Sequence, residues 1–119
     1  AVVVRRDTRA KAFTPRAGLA QAVTELLDDI QRTLYARAVA YRETHTTSVD
    51  TYEAFVALME GRPGYVAAPW CGESECEAQI KADTQATVRN LPFNRPAVVG
   101  TCVRCDRPAV AEAFFAKAY

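Results

Sequence analysis

Four cysteines, Cys71, Cys76, Cys102 and Cys105, are the only ones in the chain, and they come as two close pairs. The first pair brackets Gly-Glu-Ser-Glu. The second is a CxxC knuckle, Cys102-Val-Arg-Cys105, and 25 residues separate it from the first. Two short loops of this kind can place four thiolates at tetrahedral corners, about 2.3 Å from a zinc ion. Whatever strands or helices carry the pairs, the two loops must then meet. With sulfur at all four corners no coordination position is left for water or substrate, so such an ion staples the fold and does no chemistry. Two disulfides, or a thiol redox pair at Cys102 and Cys105, are the competing readings. No export signal is read in the sequence, and disulfide-dense scaffolds are richer in cysteine, so the metal is preferred.

At 119 residues, half of them hydrophobic, there is room for about one domain or two small pieces with a packed core. A net charge of +1 argues against a strongly basic nucleic-acid binder and against an acidic tail. Any nucleic-acid contact has to be a local patch. Arg5, Arg6, Arg9, Lys11 and Arg16 are the nearest to one, as a basic loop able to touch phosphate or as ordinary solvated surface. No apolar run approaches the roughly 20 residues of a membrane span, and no signal peptide, repeat or low-complexity tract is present. The chain has no initiator Met and opens directly on Val2-Val3-Val4. A lone strand with two unpaired edges is an aggregation hazard, so the chain reads as a piece of a longer polypeptide.

Val2 to Arg6 is expected as a strand and Asp7 to Phe13 as a polar connection. Thr14-Pro15 has the form of a helix start, with Thr14 as N-cap and Pro15 at the first helical position. Leu19, Val23, Leu26, Leu27, Ile30, Leu34, Ala38 and Tyr41 recur at steps of three and four, which makes one apolar stripe. The helix predicted from it is roughly 45 Å long, more than a small core needs, so it is expected to bridge two units. Thr44 to Ser48 reads as a break. Asp50 and Glu53 stand at capping-box spacing before a short face of Tyr52, Phe55, Val56 and Met59, which Gly61 and Arg62-Pro63-Gly64 end. Tyr65 to Trp70 is expected as a strand running into Cys71. A second capping box, Ser74 and Glu77, predicts a helix from about Glu75 to Asp83. Cys76 falls in its first turn, where free N–H groups favour a thiolate. Ala86 to Phe93 is expected as a strand broken near Pro92, Cys102 to Cys105 as a turn ending at Asp106-Arg107-Pro108, and Ala109 to Tyr119 as the last strand. The fold class is therefore α+β: a strand and long helix over residues 1–45, then a zinc-stapled α+β domain with an antiparallel sheet over residues 46–119.

Four thiolates on Zn²⁺ carry a net charge of about −2. Lys81, Arg104 and Arg107 are close enough in sequence to offset part of it, or are solvated surface. His45, the only histidine, follows the long helix and reads as a cap more than as a ligand or base. Trp70 beside Cys71 reads as packing for the knuckle more than as a base-stacking platform. No Ser/His/Asp set, phosphate-binding glycine loop, dinucleotide signature or carboxylate pair appears, so by its residues this is not a catalytic domain.

Tyr65-Val-Ala-Ala-Pro-Trp-Cys-Gly-Glu-Ser-Glu-Cys-Glu-Ala-Gln-Ile-Lys81 resembles the zinc-binding segment of the prolyl-tRNA synthetase family in its archaeal/eukaryote-like form. So do Gln85-Ala-Thr-Val-Arg-Asn-Leu-Pro-Phe93 and the end Phe115-Ala-Lys-Ala-Tyr119. Val2-Val-Val-Arg-Arg-Asp7 and the long helix resemble the end of that family's α/β anticodon-binding domain, so the likeness covers nearly the whole chain. It implies that residues 1–45 close the anticodon-binding domain and that residues 46–119 form the C-terminal zinc-binding domain. It maps the zinc ligands onto Cys71, Cys76, Cys102 and Cys105. It implies a parent enzyme that activates proline with ATP and Mg²⁺ and transfers it to tRNA(Pro) on a class II catalytic domain not included here. That enzyme is expected to be a cytoplasmic homodimer with no membrane association. The terminal carboxylate of Tyr119 is expected to point toward the parent's active site, and Arg5 and Arg6 are the nearest candidates for RNA contact. The alternative is a free-standing zinc-ribbon module that binds nucleic acid or protein.

Overall fold

The apolar triplet at the start of the chain finds its partner within the next ten residues. In the computed structural model, which describes residues 1–61, 64–94 and 98–117, β1 (Val2–Val4) pairs antiparallel with β2 (Lys11–Phe13), Val3 lying opposite Ala12. The expected polar connection thus supplies a strand, and the lone strand becomes a hairpin. Arg9, at φ 64°, turns the chain and donates its N–H to the Arg5 carbonyl at 2.9 Å.

Thr14 does not cap the helix. Its N–H extends the hairpin ladder to the Ala1 carbonyl at 2.8 Å. Helix α1 (Leu19–Thr44) starts after Gly18, which sits at φ 80° and accepts the Ala22 N–H at 3.0 Å. A left-handed residue cannot lie inside a right-handed helix, and glycine adopts that conformation with no Cβ penalty. Arg5 joins Asp7 at 2.9 Å and also pairs with Asp29 of α1, which ties hairpin to helix. The helix runs 26 residues, about 39 Å at 1.5 Å per residue. No residue of it is buried, and Leu27 and Leu34 on the expected stripe remain 60% and 48% exposed. No helix among the described residues is long and apolar enough to cross a membrane.

The hairpin and helix make one unit, Ala1–Glu43, and the rest makes a second, Thr44–Tyr119. The second contains β3 (Thr46–Ser48), α2 (Tyr52–Glu60), β4 (Tyr65–Trp70), α3 (Ser74–Thr84), β5 (Ala86–Asn90) and β6 (Ala111–Lys117). Its sheet has the order β3-β4-β6-β5. The β4–β6 and β6–β5 pairs are antiparallel, as expected. The segment read as a break contributes β3, parallel to β4. Parallel neighbours need a crossover, and α2 is that crossover.

Helix α2 is capped by Thr51, one residue after the expected Asp50, whose hydroxyl accepts the Ala54 N–H at 3.3 Å. Gly61 ends it as expected, with its N–H on the Leu58 carbonyl. Helix α3 begins at Ser74 with Glu73 in the cap position and no side-chain cap. The expected Ser74–Glu77 box does not form, because Glu77 instead accepts the Val88 N–H of β5 at 3.0 Å. That bond gives a backbone donor on an edge strand a partner other than a foreign chain. Strand β5 ends at Asn90, short of the expected Phe93, after a bulge between Val88 and Asn90. Between helices and sheet lies the core: Phe55, Met59, Val66, Ala68, Ile80, Ala86, Ala113 and Phe115, continuous with the buried cysteines. The rings of Phe55 and Phe115 meet edge to face at 5.2 Å.

Candidate metal centre

The two cysteine loops are brought together by ordinary backbone pairing. Strand β4 delivers Cys71 at its end. Gly72, at φ 84°, turns the chain toward α3; a Cβ there would stand 3.1 Å from the Val110 methyl. Cys76 follows as the third residue of α3. Opposite, Thr101 bridges Pro108, and the Cys102 N–H bonds the Arg107 carbonyl at 2.9 Å, which closes the knuckle. The knuckle is zipped to β4 by the N–H groups of Val103 and Val110, each 2.8 Å from the carbonyls of Pro69 and Trp70.

The Sγ atoms of all four cysteines lie within 4.8 Å of one another. Cys76 is 3.6 Å from Cys102 and 3.9 Å from Cys105, and Cys105 is 3.8 Å from Cys71. A tetrahedron with metal–sulfur bonds of about 2.3 Å has edges of about 3.8 Å. The three separations are close to that edge length. All four cysteines are free, and the separations are far beyond a disulfide's roughly 2.05 Å. Cys71, Cys76 and Cys102 are buried at 5–6% exposure, and Cys105 is half-buried.

The sequence placed the favoured thiolate at Cys76, in the first turn of α3. In the fold, burial works against a thiolate at that position. Burial pushes the Cys71 and Cys76 thiols up, and at Cys76 the neighbouring Cys102 sulfur adds to the effect. Burial also opposes charge on Cys102, but N–H groups of Arg104, Cys105 and Cys71 and the Cys76 thiol together outweigh it and bring Cys102 down to about 7. Four sulfurs this close resist ionising together unless a cation sits among them, and a bound dication reverses that balance for each one.

Two of the three nearby cations, Arg104 and Arg107, are engaged with acidic or aromatic side chains. Arg104 lies 4.7 Å above the Tyr52 ring, and its Nε stands 3.4 Å from Asp83, an ion pair without hydrogen-bond alignment. Tyr52 donates its hydroxyl to Asp83 at 2.6 Å. Arg107 pairs with Glu73 at 3.8 Å, and Lys81 is exposed in the last turn of α3. The Tyr52–Asp83–Arg104 cluster ties α2 and α3 to the knuckle. Sequence reasoning missed it because no local pattern links three residues so far apart. Trp70 packs against the core, with a buried indole N–H that has no hydrogen-bond partner among the described residues. The His45 ring nitrogen Nδ1 lies 3.0 Å from the Thr44 hydroxyl, and its carbonyl accepts the Tyr65 N–H; it has no part in the cysteine cluster. Arg5 serves Asp7 and Asp29, which raises its own pKa and lowers both carboxyls through those hydrogen bonds. Arg6 is exposed. Tyr119 lies outside the described residues.

Residues 52–119 match the family model described as prolyl-tRNA synthetase, C-terminal. The chain belongs to that family. The prolyl-tRNA synthetase C-terminal match begins at the first residue of α2 and takes in all four cysteines. Over 119 residues the chain is 41% identical to the proline–tRNA ligase of Lachnospira eligens, covering all of this chain and 25% of that protein. It is 43% identical to the proline–tRNA ligase of Rubrobacter xylanophilus over the same length, covering 24% of it. Among solved structures it is similar to the prolyl-tRNA synthetase of Cryptosporidium parvum complexed with L-proline and AMP. That likeness has a TM-score of 0.83 and 26% identity over 99% of this chain and 25% of the other. The chain thus spans about a quarter of the length of the curated relatives it matches, as the C-terminal part of a prolyl-tRNA synthetase.

Proposed function

We propose that the parent protein is a proline–tRNA ligase, which activates proline with ATP and Mg²⁺ and transfers it to tRNA(Pro), and that this chain is its non-catalytic C-terminal part. The observation that carries the reading is the match of the whole chain to a quarter of ligases such as that of Lachnospira eligens, at 41% identity over 119 residues. In this reading residues 1–45 close the anticodon-binding domain and residues 46–119 are the zinc domain. Arg6 is the better placed of the two candidate RNA contacts, because Arg5 is held by Asp7 and Asp29. The parent works as a cytoplasmic homodimer. Full-length protein is expected to exchange pyrophosphate into ATP only when proline is present; exchange with another amino acid in its place contradicts the assignment.

Cys71, Cys76, Cys102 and Cys105 would hold Zn²⁺, and the sulfur separations support that choice. The ion supplies a crosslink between the turn after β4 and the knuckle. Residues 98–110 have no strand or helix of their own. They are held by the backbone bonds to β4, by buried Val103 and by the Arg104 contacts with Tyr52 and Asp83, and the ion would add a link to the turn after β4. Metal binding of this kind is folding free energy for a small domain. The domain's further task is to present the terminal carboxylate of Tyr119 toward the parent's active site. Removing Ala118 and Tyr119 from the parent is expected to weaken adenylate formation or transfer at unchanged thermal stability. Unchanged kinetics would sink that part of the reading. A free-standing zinc-ribbon module has less support, since the relatives described carry this stretch as a quarter of a longer ligase.

A further inference from the structure

The four sulfurs are not equivalent. Three are buried at 5–6% exposure, but Cys105 is half-buried and is followed by exposed Asp106, Arg107 and Pro108. A coordinated thiol is deprotonated outright, and thiolate, not thiol, is the nucleophile toward peroxides. Bound to zinc, the least buried of the four cysteines would therefore also carry a nucleophilic sulfur. Two further sulfurs stand close to it, Cys71 at 3.8 Å and Cys76 at 3.9 Å. To become a disulfide a pair must close to about 2.05 Å. Cys76 is fixed in α3, whereas Cys71, though buried, lies between β4 and α3 and belongs to neither element.

We propose that Cys105 is the oxidant-reactive site of this domain, and that a peroxide acting there ejects the metal by joining Cys105 to Cys71. The inference rests on the zinc reading above. In the first step the Cys105 thiolate attacks one peroxide oxygen. A sulfur–oxygen bond forms, the oxygen–oxygen bond breaks, and the leaving oxygen takes up a proton from solvent as water. Sulfur is oxidised by two electrons to the sulfenic acid, and the peroxide is reduced. In the second step the Cys71 thiolate attacks the Cys105 sulfur. The sulfur–sulfur bond forms, the sulfur–oxygen bond breaks, and hydroxide leaves as water after taking a second proton. In total two thiolates, one hydrogen peroxide and two protons give one disulfide and two waters. Cys76 and Cys102 alone cannot close a tetrahedral site, and zinc departs.

The test treats the zinc-loaded protein with hydrogen peroxide and follows released zinc with a chromogenic chelator. Dimedone traps the first sulfenic acid for peptide mapping. Release of one zinc per chain, a dimedone adduct at Cys105 and a Cys71–Cys105 disulfide are expected. Cys105→His keeps a zinc ligand but removes the sulfur of the least buried cysteine, and is expected to slow release at least about tenfold. First modification at Cys71, Cys76 or Cys102, or wild-type release from Cys105→His, overturns the proposal. If Cys105→His holds no zinc, the wild-type adduct map decides alone. Protein without zinc before oxidant is added overturns the metal reading and this inference with it. A full zinc complement that withstands peroxide overturns this inference only.

Discussion

Replacing Tyr52 by Phe removes one oxygen atom and leaves the rest of its packing in place. The ring still stacks on Phe55 at 6.0 Å and still lies 4.7 Å beneath Arg104. The hydroxyl's 2.6 Å bond to Asp83 is lost. A hydrogen bond to a charged acceptor contributes about 1.5–3 kcal/mol. Because the Asp83 side chain is 43% exposed, water can take the vacated place, and a loss of about 1–2 kcal/mol is expected. The pH dependence tests whether the hydroxyl is buried and bonded to Asp83, against generic damage. Burial first, then the bond to Asp83, push the Tyr52 hydroxyl up to about 12, against about 10 in an unfolded chain. A raised pKa means stabilisation fully present below pH 10 and lost as pH rises toward 12. At pH 11 ionisation of the unfolded chain removes about 1.4 kcal/mol from the wild type and none from Tyr52→Phe; partial exposure of the ring reduces this to about 1 kcal/mol. Urea unfolding of zinc-loaded wild type and variant from pH 8 to pH 11 reads the difference directly. The gap should be about 1–2 kcal/mol at pH 8 and about 1 kcal/mol smaller at pH 11. A gap that stays constant over that range, or none at pH 8, refutes the assigned hydrogen bond.

Phe115 is fully buried and meets Phe55 edge to face, so Phe115→Ala should cost about 3–5 kcal/mol in chemical unfolding; a cost below about 1 kcal/mol contradicts its place in the core. Gly64 has φ 69°, and a Cβ there would stand 2.5 Å from the His45 carbonyl oxygen, whereas Gly18 at φ 80° has nothing within 4 Å. Gly18→Ala should therefore cost only the left-handed conformation, about 1–2 kcal/mol, and Gly64→Ala distinctly more, because β3 must shift. Equal losses in thermal melts would refute the close approach of the strand ends.

The features legible in the sequence were those whose cause is local. Tyr65–Trp70 is legible with the bounds the strand has, because an apolar run stops at the first cysteine. Helix α3 was read to within a residue at each end, and the two pairs of cysteines were read as one cluster. What was missed depends on distant partners. Strands β2 and β3 are three residues each, too short for a period, and become strands only because Val2–Val4 and β4 lie beside them. The capping box at Ser74 failed because Glu77 finds a backbone donor eleven residues away. Thr14 and Pro15 had the chemistry of a helix start, but the hairpin takes Thr14 and Gly18 sets the true boundary. The stripe on α1 was visible as a period, yet no residue of α1 is buried. A period records which residues share a face, not what covers it. At the candidate metal centre, sequence spacing groups the same four sulfurs that the fold brings together, but the thiolate it favours at Cys76 is opposed by burial. The helix end at Cys76 is a local feature, whereas the N–H groups turned toward Cys102 come from the folded knuckle and the neighbouring strand.

Zinc X-ray absorption on the purified full-length protein tests the four-sulfur clamp most directly. Four sulfur scatterers at about 2.3 Å, with one zinc per chain lost together with the knuckle's protection from hydrogen exchange when a chelator is added, is the expected result. Nitrogen or oxygen scatterers near 2.0 Å, fewer than four sulfurs, or protein that holds no zinc while Cys71, Cys76, Cys102 and Cys105 stay reduced, would contradict it.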